Sequence, residues 1–212
     1  MTRGNDGLLT EFTPEQEQVF LGTMLGDANL SSGSYNSSLR VKHREADKEY
    51  LFWKYDILKS SRIFLNPPKP KPPRPPSGIS WLLYSRRLPI FRVYREMFYP
   101  SRGEKIVPVE VLDKLELLGL AVWYMDDGHF QFGVPKRPNR RTVYLATQGF
   151  DYKDNVLVRD WMERKFGFRF DLVGEMGLRL GRRGEVERFL EMLRPFSVPC
   201  MERKFRRSKV GR

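Results

Sequence analysis

Two stretches decide how this chain is read: Phe20-Leu21-Gly22-Thr23-Met24-Leu25-Gly26-Asp27-Ala28 and Leu120-Ala121-Val122-Trp123-Tyr124-Met125-Asp126-Asp127-Gly128. Each is an apolar run that stops at an aspartate. Ahead of the first stand Thr13, Pro14 and Gln16, an N-cap, a first-turn proline and a capping-box partner, which launch a helix through Val19, Phe20, Met24 and Leu25. Ahead of the second stand Asp113 and Glu116, which read as a capping pair for a helix through Leu117, Leu120, Trp123 and Tyr124.

Working outward, the first aspartate is followed by an extended Arg40-Val41-Lys42 segment and an aromatic-rich helix over residues 50–58. A proline-rich basic loop over 67–76, a strand over 79–84 and a helix over 90–98, stopped by Pro100, complete this half. The second aspartate is followed by strands over 129–134 and 142–150, a helix over 152–166, strands over 168–173 and 176–180, and a helix over 185–193. Each half therefore reads helix, two strands, helix, two strands, helix. The marker residues repeat as well: Asp27 and Asp127 lie 100 positions apart, and Arg86-Arg87 and Arg182-Arg183 lie 96 apart. Lys105-Ile106-Val107-Pro108 opens the second half, much as Val198-Pro199 and Lys204 close it. The pattern is that of a duplication with loop insertions. It divides the chain into an N-terminal extension (1–12), a first half (13–104) and a second half (105–212) with a basic tail carrying Arg206, Arg207 and Lys209.

Composition limits the functions such a duplicated unit can have. With 38 Lys and Arg against 26 Asp and Glu, the formal charge is +12, while 40% of residues are apolar and 13% aromatic. A chain this apolar builds a core and carries its charge outside, which points to a polyanionic partner. By charge alone, a ribosomal-type RNA binder or a solvated basic face fits as well as a DNA binder. Cys200 is the single cysteine, and His43 and His129 are the two histidines. A disulfide framework, a thiolate zinc site and a paired-histidine metal site are thereby excluded, and histidine-dependent nuclease chemistry is not expected. The longest apolar run, 117–125, is far short of a membrane span, and Asp6 and Glu11 fall where an export signal needs apolar residues. The expected location is intracellular, in cytoplasm, nucleoid or organelle matrix, with no membrane partner.

A helix C-terminus exposes unpartnered carbonyls and the negative end of the helix dipole, so an aspartate there makes an anionic, oxygen-rich pocket. If the two helices pack side by side, Asp27 and Asp127 meet across the seam with the carbonyls of Gly26 and Asp126, and their repulsion calls for a hard divalent cation. Mg²⁺ suits phosphate chemistry, with Mn²⁺ or Ca²⁺ as substitutes. Gly22 and Gly26, with Ala121 opposite, would permit close approach, although ordinary core packing explains that spacing equally well.

The two quoted stretches resemble a pair of LAGLIDADG motifs, and the chain resembles the single-chain, two-motif LAGLIDADG homing endonucleases from about Thr13 to Lys209. The resemblance implies an α+β fold of two pseudo-symmetric αββαββα halves, packed through the motif helices, with strands forming a DNA-binding saddle. It implies Asp27 and Asp127 as ligands of a catalytic Mg²⁺. Asp126 and Asp127 point about 100° apart on a helix, so Asp127 is taken as the ligand. It further implies a basic residue near each scissile phosphate, matched by Lys105 and Lys204, and a polar strand residue that orders water, matched by Gln148 with Arg40 as its counterpart. The motifs depart from the family pattern at Ala28, Val122 and Asp126.

The implied reaction is metal-assisted hydrolysis of both strands of an asymmetric duplex target by a monomer. Strand-borne Arg40, Lys42, Arg86, Arg87, Arg140, Arg141, Arg179, Arg182 and Arg183 are the candidate DNA contacts, to bases or phosphates. Lys69, Lys71 and Arg74 in the proline-rich loop are expected to reach the phosphate backbone, or else to serve a solvated linker. Two rivals remain at this level. One is an RNA-splicing maturase, or another non-cleaving nucleic-acid binder, with intron RNA as partner. The other is a different nuclease class, suggested by the E-x-K spacing of Glu202-Arg203-Lys204.

Overall fold

The structure, a computed structural model, describes residues 12–32, 36–59, 63, 64, 66–73, 78–101, 103–134, 137–174 and 177–205. The chain divides into two compact units, Met1–Glu104 and Lys105–Arg212.

The first unit runs α1 (Pro14–Leu25), β1 (Ala28–Leu30), β2 (Leu39–Arg44), α2 (Lys48–Leu58), β3 (Lys69–Lys71), β4 (Ser80–Tyr84) and α3 (Pro89–Phe98). Helix α1 starts as its sequence dictates. The Thr13 hydroxyl accepts from the Gln16 N–H at 3.2 Å and the Gln16 side chain accepts from the Thr13 N–H at 3.2 Å. Gln16 also donates to the Ile57 carbonyl at 3.1 Å, tying the start of α1 to the end of α2. From Val19 to Leu25 every residue is buried, Gly22 and Thr23 included, so the motif helix is enclosed on all sides. The rings of Phe12, Phe91 and Tyr94 surround Phe20, with centroids 4.8, 5.7 and 4.7 Å away.

Four antiparallel strands in the order β1-β2-β4-β3 form the sheet of this unit. Strand β2 alternates cleanly: Leu39, Val41 and His43 point inward and Arg40, Lys42 and Arg44 outward. The short β1 follows directly on Asp27 and was not legible in the sequence. The 67–76 segment is also not a plain loop, because Lys69, Pro70 and Lys71 pair with Leu82, Trp81 and Ser80 of β4. The strand lies at the sheet edge, where a proline without an N–H donor is tolerated.

The second unit begins with α4 (Val109–Lys114) and repeats the order of the first: α5 (Leu117–Asp127), β5 (Gly128–Val134), β6 (Arg137–Leu145), α6 (Tyr152–Phe166), β7 (Asp171–Val173), β8 (Gly177–Leu180) and α7 (Arg183–Leu193). Its sheet, β5-β6-β8-β7, has the topology of the first. The expected Asp113–Glu116 cap does not form. Asp113 lies within α4, and Glu116, at the N-cap of α5, makes no side-chain capping bond. Lys165 of α6 holds this end instead, donating to the carbonyls of Asp113 (3.1 Å) and Leu115 (2.8 Å) and to the Glu116 carboxylate (3.1 Å). Phe189 of α7 sits at the centre of the core, with ring centroids of Tyr124, Phe168 and Phe170 at 5.4, 5.2 and 5.8 Å.

The strand expected over 142–150 begins and ends earlier, at Arg137 and Leu145. At Gly177, φ is +79° and a Cβ would approach the Thr147 amide nitrogen to 2.5 Å, so only glycine lets β8 pass there. The motif glycine Gly128 is required for a different reason: a Cβ would fall 2.0 Å from the Tyr124 ring. In the first motif the residue four positions back is Met24, and Ala28 is accommodated. Among the described residues no helix is long and apolar enough to cross a membrane.

Candidate functional site

In the first unit α1 closes with the Gly26 N–H donating to the Gly22 carbonyl at 3.1 Å, and Asp27 follows at the entry to β1. Its side chain is 38% exposed, so the carboxylate is open to a solvated cation while anchored from behind. Behind it lies His43, whose Nδ1 is 3.4 Å from Asp27 Oδ2. On the far side of the imidazole, Nε2 is 3.4 Å from the Nζ of Lys54, a fully buried lysine that lies 4.4 Å from the Tyr50 ring centroid.

In the second unit α5 carries the chain through Asp126 and Asp127 before Gly128 turns it into β5, and the Asp127 carbonyl accepts from the Ala146 N–H at 3.0 Å. Lys204 reaches this helix end from the 3-10 turn Pro199–Lys204, its Nζ donating to the Asp126 carbonyl at 2.6 Å. The Tyr124 hydroxyl donates to the Lys204 carbonyl at 2.7 Å, and burial holds that hydroxyl well above the ordinary tyrosine range, so it remains a donor. Two residues after Lys105, the Val107 N–H donates to the Asp154 carboxylate at 3.0 Å. Burial raises the Asp154 carboxyl despite that bond, and Lys105 Nζ stands 5.8 Å from the Phe150 ring centroid.

Gln148 is exposed in the turn after β6, not on a strand. Its expected counterpart also shifts. Ala28 pairs with Val41 and Gly128 with Leu145, so Gln148 corresponds to Arg44, and Arg40 corresponds to Tyr144. Arg44 pairs with Asp47 at 2.7 Å.

The candidate DNA contacts separate by face. Arg40, Lys42 and Arg44 project from the outward side of the first sheet, opposite Tyr84, Leu82 and Ser80, while Lys69 and Lys71 extend the same registers on β3. On the second sheet Tyr144 stands opposite His129 and Arg179, and Arg140 lies on the same side of β6. Arg179 is paired with Asp171 at 2.8 Å. Arg141 lies on the opposite, helix-covered side and is bound to Glu187 of α7. Arg86 and Arg87 lie beyond β4, Arg182 caps α7 and Arg183 begins it, so these four are not strand residues. Arg74 and the tail residues Arg206, Arg207 and Lys209 lie outside the described residues. Glu202-Arg203-Lys204 lies on the 3-10 segment Pro199–Lys204, with Lys204 turned to the Asp126 carbonyl.

His43 and Lys54 are the functional candidates the sequence reading missed. The signal was present: His43 falls on the inward phase of the 39–44 alternation, and Lys54 shares a helix face with Tyr50, Leu51 and Leu58.

Comparison with known proteins agrees with this arrangement. The LAGLIDADG DNA endonuclease family matches residues 17–179. DNA endonuclease I-ChuI of Chlamydomonas applanata is 25% identical over 216 residues, covering 91% of this chain and 94% of the relative. Protein RecA of Mycobacterium shimoidei is 26% identical over 202 residues, covering 90% of this chain but only 46% of that protein. Among solved structures, the homing endonuclease I-WcaI bound to its DNA recognition sequence has the same fold, with a TM-score of 0.80 at 20% identity, covering 93% of this chain and 88% of that one. The chain belongs to the LAGLIDADG DNA endonuclease family, hydrolases of the DNA phosphodiester backbone.

Proposed function

We propose that this chain is a monomeric homing endonuclease that makes a Mg²⁺-dependent double-strand break in a long, asymmetric DNA target, its coding element residing in an intron or intein. The observation that carries the reading is the presence, in one chain, of two units of like topology, each with a motif helix leading to an aspartate and then into a four-stranded sheet. The outward faces of the sheets differ. The first offers Arg40, Lys42, Arg44, Lys69 and Lys71, and the second His129, Gln131, Tyr144, Arg140 and an Arg179 engaged by Asp171. Two unlike reading faces favour an asymmetric target, where identical subunits would favour a palindrome. The similarity to a stand-alone endonuclease and to about half of a longer RecA chain fits a mobile coding element.

Asp27 in the first unit and Asp127 in the second are each proposed to hold a cation, with the carbonyls of Gly26 and Asp126 next to them in sequence, and hard oxygen donors of this kind fit Mg²⁺. When bound, the cation supplies Lewis-acid stabilisation of phosphoryl oxygens. Lys204 fastens the end of α5 and brings a positive charge to it, and Lys105 stands two residues before the Val107–Asp154 bond in the second unit. Charge at these positions opposes the negative charge developing on the scissile phosphate. Lys105→Ala and Lys204→Ala are each expected to slow cleavage by about 10²-fold with little change in affinity, measured by single-turnover assay. If both variants cut at the parent rate, the two lysines have no part in the chemistry.

The basic residues of the proline-rich segment give a separate prediction. Replacing Lys69, Lys71 and Arg74 by Ala should reduce the slope of log affinity against log salt by up to about 3, equally for cognate and unrelated DNA. An unchanged slope in titrations at several salt concentrations would assign these charges to solvent. To test the function itself, the protein is offered duplex DNA spanning the uninterrupted host gene and, separately, the corresponding intron RNA. Cleavage of the duplex is expected, and binding confined to the RNA would favour the maturase reading.

A further inference from the structure

The buried polar chain behind Asp27 is built into one unit only. Register and spacing identify the corresponding residues of the second unit independently. From the paired positions Val41 and Leu145, two residues further on, His43 corresponds to Thr147, and each stands five residues ahead of the first residue of the next helix. Lys54 is the seventh residue of α2, and the seventh residue of α6 is Val158. Thr147 and Val158 are fully buried, and Thr147 is bonded to Asn155 of α6. The same place in the fold is thus filled without a cation in the second unit. A buried lysine is costly to desolvate and is not something this architecture demands.

We propose that His43 and Lys54 are positioning residues for Asp27. The imidazole presents Nδ1 to Asp27 Oδ2 at 3.4 Å and holds the carboxylate in one orientation, while Lys54, 3.4 Å from Nε2 on the far side, fixes the ring from behind. The arrangement is that of a ligand-orienting partner, and it rests on the reading of Asp27 as a cation ligand. Because the second unit has no such support at the corresponding positions, loss of His43 or Lys54 disturbs the cut that depends on Asp27 and spares the other. The intermediate that accumulates is a nicked duplex.

The test uses the full chain on its duplex target, with two readouts. Nitrogen-15 spectra of histidine-labelled protein report the tautomer directly; the chain has only His43 and His129, and His129→Gln assigns the signals. His43 should show the Nδ1–H pattern in the parent, because that nitrogen faces the Asp27 carboxylate, and a shifted or broadened ring signal in Lys54→Met, which keeps the length and apolar stem of the side chain but no longer fixes the ring. With each DNA strand end-labelled in turn, Lys54→Met and His43→Gln should slow one strand by about 10-fold to 100-fold and leave the other unchanged. His43→Asn, whose amide nitrogen occupies the Nδ1 position, should restore most of that rate. An Nε2–H pattern in the parent, an unaltered pattern in Lys54→Met, equal slowing of both strands, or no difference between Asn and Gln at 43 would each overturn the proposal. Asp27→Asn separates the two levels. If it cuts like the parent, the cation-ligand reading falls; if it is inactive while the His43 and Lys54 variants show no strand bias, only the positioning role falls.

Discussion

Asp27→Asn and Asp127→Asn are each expected to reduce double-strand cleavage by at least about 10³-fold, the equivalent of several kcal/mol of lost charge stabilisation, while fold and DNA affinity stay close to the parent. The substitution removes a charge and keeps the shape. Asp27 is well suited to this test, since its side chain is 38% exposed and its carboxylate lies outside the apolar core. An amide there still presents an oxygen to His43 but binds a divalent cation poorly. Circular dichroism and a binding titration without Mg²⁺ would verify that fold and affinity survive. Parent-level cleavage by either variant would remove that aspartate from the chemistry.

Phe189→Ala should destabilise the second unit by about 3–5 kcal/mol. The ring is fully buried and touches Tyr124, Phe168 and Phe170, so its removal opens a cavity bounded by aromatic groups that cannot close around it. The loss reaches the candidate site, because Tyr124 both packs on Phe189 and donates to the Lys204 carbonyl, and Lys204 in turn caps Asp126. At roughly 2–4 °C per kcal/mol for a chain of this length, the fall in Tm should be on the order of ten degrees. Tyr152→Ala, at a residue 74% exposed, is the control and should stay within about 0.5 kcal/mol. Equal melting of the two variants would contradict the packing described.

The order of elements was legible because it depends on local chemistry. Thr13, Pro14 and Gln16 start α1 as read, and the helix over 152–166 lies where its periodicity places it. Features set by tertiary pairing were not legible. Proline 70 argued for a loop, but an edge strand needs no donor from it on its open side. Asp113 has the chemistry of a cap, yet α4 absorbs it, and Lys165, 49 residues from Glu116, instead donates to the carbonyls at the end of α4 and to the Glu116 carboxylate. The aspartates are legible because an acid at the end of an apolar helix is conspicuous in sequence. His43 and Lys54 are inconspicuous in sequence because a histidine and a lysine become a buried pair only when β2 is laid against α2. Arg141 looked like its neighbour Arg140, but the alternation of β6 turns it to the helix side and Glu187.

The most direct test of a metal-dependent, site-specific cut is sequencing of the DNA ends left when the protein acts on the uninterrupted host allele, with Mg²⁺ and with EDTA. The expected result is one break, in both strands, at one asymmetric position, present with Mg²⁺ and absent with EDTA. Ends scattered along the DNA, or the same ends formed in EDTA, would contradict it.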